Sequence, residues 1–151
     1  MAPTIENREA RFDFQVLDTV EVGISLTGSE VKSIRNGRIT LANGFAMARL
    51  HPRELTLHEV HIDEYPQALP QHQHEPRRVR RLLAHGKEIE RLAIGMKAKG
   101  TSLVPLKVYF SKGRVKVLLG IALGRKKGDK REALKAKEDR RDMARATTRR
   151  A

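Results

Sequence analysis

Residues 18–37, DTVEVGISLTGSEVKSIRNG, read as a strand that runs straight into a capped helix. Val20, Val22, Ile24 and Leu26 alternate with Glu21, Gly23 and Ser25, the period-two pattern of a half-buried strand. Thr27 and Glu30 have the spacing of a capping box, in which each side chain accepts the other's backbone N–H. Gly37 suits the left-handed position just past a helix end. Val31 and Ile34 are expected to face the core, and Lys32 and Arg35 the solvent.

Downstream, ITLANGFAMARL (39–50) and ELTLHEVHI (54–62) read as two more strands joined by an HPRE turn at 51–54. A Pro- and His-rich loop follows at 65–76. Beyond it Val79, Leu82, Leu83, Ile89, Leu92, Ala93 and Met96 recur at helical spacing, with Pro76 in a first-turn position and Gly100 at the end. Gly86 marks a kink or a break into two helices. The other faces of that segment carry Arg77, Arg78, Arg80, Arg81, Lys87 and Arg91. TSLVPLKVYF and RVKVLLGIAL, around the turn SKG at 111–113, form a hairpin, in which Pro105 requires an edge or a bulge. Five or more strands, a short capped helix and a longer helical segment predict a mainly β fold with helices. A small closed or partly closed barrel results, and the OB type is the commonest nucleic-acid binder of that form.

Charge points to the partner. The chain has 151 residues and 31 Lys+Arg against 18 Asp+Glu, a net +13 that favours polyanions. Residues 124–151 hold twelve Lys/Arg and five Asp/Glu, so +7, which leaves +6 on the first 123 residues. The four Phe and two Tyr are too few for a single-strand reader that stacks bases, and most are expected in the core. A folded RNA read by shape and phosphates fits better. There is no cysteine, which excludes disulfides and thiol nucleophiles, and no apolar run long enough to span a bilayer. The protein is expected in the cytoplasm.

Catalysis finds no support in the pattern. His58 and His61 are three apart on a predicted strand, so they point to opposite faces, and His72 and His74 lie in the loop without a third ligand. They read as solvated histidines. No phosphate-binding glycine loop, nucleophile elbow or H-E-x-x-H occurs. No enzyme, metal or cofactor is expected. The EPRRVRRLL cluster reads equally as the wet face of a helix or as a phosphate-facing surface.

The segments NREARFDF, EVGISLTGSEVKSIRNGR, HEPRRVRRLLAHGKEIERL, GTSLVPLKVYFSKGRVKV and GDKRE, in this order, resemble the SsrA-binding protein (SmpB) family across nearly the whole chain. The resemblance implies an OB-type β-barrel with flanking α-helices. It also implies an RNA-binding adaptor that binds the tRNA-like domain of tmRNA and delivers it to ribosomes stalled on messages without a stop codon. The family's RNA-contacting glutamate, leucine and lysine match Glu21, Leu83 and Lys116, and Asn7, Lys32 and Arg35 also fit its pattern. The helical stripe would bury Leu83 in the core, making its part in RNA binding indirect. Partners implied are tmRNA and the small-subunit RNA of the ribosome, with the protein acting as a monomer and without a membrane. A basic structural component of the ribosome is the alternative, and a nuclease a third reading.

Residues 1–6 are expected as a flexible lead, 7–123 as the barrel domain and 124–151 as a basic tail. The resemblance places the tail, through Gly124, Arg125, Lys126, Lys127, Asp129, Lys130 and Arg131, in the mRNA channel near the decoding centre. Gly128 departs from the His or Tyr frequent in the family, and Phe12 from a frequent His. By its own physics the segment from Asp129 has good helix formers and pairs such as Glu132–Lys135, each worth about 0.2–0.5 kcal/mol, but no apolar stripe. It is predicted to be disordered when free and helical on RNA.

Overall fold

A computed structural model of the protein describes residues 2–124. In chain order its elements are β1 (Ile5–Glu6), α1 (Arg8–Asp13), β2 (Phe14–Ile24), α2 (Gly28–Arg35), β3 (Ile39–Thr40), β4 (Phe45–Leu50), β5 (Arg53–His58), β6 (His61–Ile62), β7 (Arg80–Leu83), α3 (Gly86–Gly95), β8 (Thr101–Ser111) and β9 (Arg114–Gly124). Strand β2 pairs with β9, β9 with β8, β8 with β4, β4 with β5, β5 with β7 and β7 with β2. That order returns to its start, so six strands form a closed ring, the OB-like arrangement expected, with helices around it. Closure leaves no open sheet edge in the ring.

The inside of the ring is aliphatic. Val20 and Val22, Leu55 and Leu57, Val108, Val117 and Leu119 are all buried there. Ile34 of α2 and Ile89 and Leu92 of α3 belong to the same core. The capping box is formed in full: Glu30 N–H donates to Thr27 Oγ1, and Thr27 N–H to Glu30 Oε1 at 2.9 Å. Gly37 has φ +72°, as its C-terminal position requires. Burying Ile34 contributes about 1.5–3 kcal/mol and pins α2 against the ring.

A second, small cluster lies on the outside of β8 and β9, where Ala10 of α1 covers Val104, Leu106 and Ala122. Asn7 starts α1. Its Oδ1 accepts from Ala10 N–H, and its Nδ2 donates to the carbonyls of Pro105 and Leu41 at 2.9 and 3.2 Å. The expected irregularity at Pro105 is a register shift of β8 against β9 between Pro105 and Lys107.

Several expectations change. Residues 39–50 and 54–62 are each broken into two strands, with β3 and β6 pairing apart from the main sheet. The predicted long helix begins only at Gly86. Residues 80–83 are instead strand β7, with Arg80 and Leu82 inward and Arg81 and Leu83 outward. β7 fills the gap in the ring, pairing Thr56 with Arg81 and Gly23 with Leu83. A helix there would leave the edges of β5 and β2 without hydrogen-bond partners. None of the six aromatic residues is fully buried, although Phe110 packs against the main core and Phe14 against the cluster outside β8 and β9. The lead is shorter than expected, because Ile5–Glu6 pair with β8. Gly124, expected in the tail, is the last residue of β9 and pairs with Phe14.

Candidate nucleic-acid interface

On the outer face of the ring, four strands align one row of residues. Leu83 of β7 lies opposite Gly23 of β2, Gly23 opposite Lys116 of β9, and Lys116 opposite Tyr109 of β8. The neighbouring row holds Glu21, Leu118 and Lys107. These side chains point outward because their strand neighbours Val20, Val22, Val108, Val115 and Val117 point inward and are buried. Three residues predicted from the resemblance, Glu21, Leu83 and Lys116, therefore share one face. Leu83 is 55% exposed, which overturns the expectation that it packs in the core.

Tyr109 organises the charges of this face. Its hydroxyl donates a hydrogen bond to the Glu21 carboxylate across 88 residues of sequence. Lys107 Nζ sits 5.2 Å from the centre of its ring, within range of a cation–π contact. Partial burial pushes the phenol up to about 12, and the hydrogen bond to Glu21 and the carboxylate's charge act in the same direction. Tyr109 is thus a neutral donor, and Glu21 keeps its remaining lone pairs for outside donors. A carboxylate on a face that also carries Lys107 and Lys116 can accept from base amino groups or ribose hydroxyls while the lysines meet phosphates.

Lys32 and Arg35 are exposed on α2, as expected. Lys32 Nζ lies 5.4 Å from the Tyr65 ring centre, and the Arg35 guanidinium 5.7 Å from that of Phe110. Asn7 is not on this face. It is buried with its amide engaged by backbone, so its work is to hold α1.

The arginine cluster divides. Arg80 is fully buried: its Nε donates to Glu30 at 2.5 Å and its Nη1 to Val60 O at 2.7 Å. Arg78 donates to the other oxygen of Glu30 at 2.6 Å. Burial would raise the Glu30 carboxyl, but the hydrogen bonds from Arg78, Thr27 and Arg80 outweigh it and hold the group below its usual range. Burial lowers the Arg80 guanidinium against the pull of Glu30. Arg77 lies 3.7 Å from Glu59. Among the described residues only Arg81 of this cluster has no ion pair, and it faces outward from β7.

The histidines also sort differently. His74 is buried, with Ser29 Oγ at 2.8 Å from its Nδ1 and Ile62 O at 2.9 Å from its Nε2, so it is structural and not solvated. His58 ends β5, stacked on Phe45, and His61 begins β6 beside Asp63. Among the described residues no three His, Asp or Glu side chains could hold a metal. No helix among them is long and apolar enough to cross a membrane.

Tyr109, Lys107, Gly23 and Arg114 were not singled out by sequence. A signal existed: once the SKG turn is centred on Lys112 and Gly113, counting back from Ser111 opposite Arg114 places Tyr109 opposite Lys116. Arg125, Lys126, Lys127, Gly128, Asp129, Lys130 and Arg131 lie outside the described residues, as does the predicted conditional helix.

The family model described as SmpB protein matches residues 4–149. The SsrA-binding protein of Gloeothece citriformis is 51% identical over 144 residues, covering 95% of this chain and 92% of the relative. That of a Synechocystis species is 50% identical over the same coverage. Among solved structures, a chain from "tmRNA-SmpB: a journey to the center of the bacterial ribosome" superposes with a TM-score of 0.70 at 43% identity. That match covers 88% of this chain and 95% of the other.

Proposed function

Because the chain belongs to the SmpB family, we propose that it is a non-catalytic RNA-binding adaptor of trans-translation. It binds the tRNA-like domain of tmRNA through its barrel and brings it to stalled ribosomes. Its basic tail, from Arg125 through Lys130 and Arg131, enters the mRNA channel near the decoding centre. It works as a monomer in the cytoplasm.

The observation that supports the reading most is the convergence of Glu21, Leu83 and Lys116 on one open face, with Lys107 and Tyr109 completing it. Leu83 offers apolar contact to a base or ribose, the lysines neutralise phosphates, and Glu21 accepts from an N–H or O–H that a phosphate cannot supply. Lys32 and Arg35 extend the positive surface along α2. Asn7 contributes by fixing α1 and not by touching RNA.

The test compares the full-length protein with a version ending at Gly124, which keeps β9 whole. Both are expected to bind the tRNA-like domain equally, and only the full-length protein to support tagging of stalled peptides. A loss of tmRNA affinity on truncation would refute this division of labour.

A further inference from the structure

Away from Glu21, Leu83 and Lys116, a groove of about 490 Å³ runs between α1, the start of β4 and the ends of β8 and β9. Phe14, Phe45 and Val104 give it apolar walls, and Glu9 and Asp13 line it from α1. Among the described residues that line it none is a lysine, arginine or histidine, on a chain of net charge +13. Glu9 and Asp13 are four apart on the helix, a spacing at which like charges meet and weaken it. Gly124, the last residue of β9, also lines the groove. It lies opposite Phe14, in a register that sets Leu123 opposite Gln15. One step further, the same register would set Arg125 opposite Asp13.

We propose that this groove is the docking site of the chain's own segment Arg125–Lys127 when RNA does not engage it, with its cations set against Glu9 and Asp13. The chain leaves the barrel inside the groove, and its next three residues, Arg125, Lys126 and Lys127, are all cationic. An extended chain covers about 10 Å in three residues, whereas four residues of helix rise about 6 Å, so the segment reaches past both carboxylates. A tethered segment meets its site at an effective concentration of about millimolar, which lets weak, solvent-exposed ion pairs hold it. The same weakness makes the contact reversible, because phosphates compete for the cations. The docked contact itself needs no RNA. It keeps the root of the basic tail on the barrel and surrenders it to a site of higher negative charge density.

Backbone amide relaxation of the full-length protein reads the contact, because it reports picosecond-to-nanosecond order residue by residue. At low salt the heteronuclear NOEs of Arg125, Lys126 and Lys127 are expected to approach those of β9 and to stand well above those of Thr147 and Thr148. Glu9→Gln combined with Asp13→Asn should lower the three to the level of Thr148, and about 0.5 M salt should do the same to wild type. Arg125→Gln, Lys126→Gln and Lys127→Gln together leave the barrel sequence untouched and should give the same loss. Values already at the level of Thr148 in wild type overturn the proposal, as does order that survives both sets of substitutions. Order that falls on dilution of the protein assigns the segment to a second copy and overturns it as well.

Discussion

Tyr109 joins the distant Glu21 to two lysines of its own hairpin: it donates to Glu21, sits under Lys107 and faces Lys116. Without its hydroxyl, Glu21 loses its hydrogen-bond donor on this face, and its acceptor oxygens lose their fixed aim. Tyr109→Phe is therefore expected to weaken binding of the tRNA-like domain by roughly 1 kcal/mol, about fivefold, with folding intact. Glu21→Gln combined with Tyr109→Phe should cost less than the sum of the two, because both remove the same contact. The phenol gives a second readout. Below the unfolded-state value of about 10 its proton is held in both states, and the contact contributes in full. As pH rises from there toward about 12 the folded protein retains a proton that the unfolded chain releases, so this contribution is lost. An absorbance titration is expected to show a late tyrosinate phase in wild type and none in Tyr109→Phe.

At the scale of elements, β7 teaches the most. Its apolar residues satisfy a helical spacing by coincidence, and the residue that contradicts a helix is Arg80, which an amphipathic pattern assigns to solvent. Its inward direction depends on Glu30, fifty residues earlier, whose carboxylate the local sequence marks only as half of a capping box. One side chain caps α2 and anchors β7. The capping box was legible because it is local; the ion pair was not, because nothing local says which charge is buried. The same holds for His74, whose partners Ser29 and Ile62 lie well upstream. Removing one member of this buried pair, by Glu30→Gln or Arg80→Met, should destabilise the protein by about 3–5 kcal/mol in urea unfolding. Glu30 is held below the usual carboxylate range, so its contribution is present above that range and lost as pH falls toward the folded value. Glu30→Gln should flatten the acid limb of a stability–pH curve.

For the molecule as a whole, the mainly β class, the capped helix, the hairpin and its bulge followed from period and turn chemistry. Which strands meet, and hence which residues share a face, depended on closure of the ring, which is non-local. Leu83 shows the difference. Residue matching placed it at the RNA, and periodicity placed it in the core, and its pairing with Gly23 brings it to the surface. The charge division also has a measurable consequence. Residues 125–151 carry +7 of the total +13. A protein ending at Gly124 should keep the salt dependence of tRNA-like-domain binding, whereas Lys107→Ala and Lys116→Ala should each lower that slope by roughly 0.7–0.9. Binding to ribosomes should lose salt sensitivity in the truncated protein alone.

Strand β9 carries Lys116 and also ends at the residue from which the basic segment departs, and it is bonded along both sides, to β2 and to β8. A pull on the chain beyond Gly124, directed along that strand, loads both ladders in shear. Their hydrogen bonds then resist together and do not peel open one after another. Loaded in this direction, the barrel is a mechanical anchor for the segment that departs from Gly124.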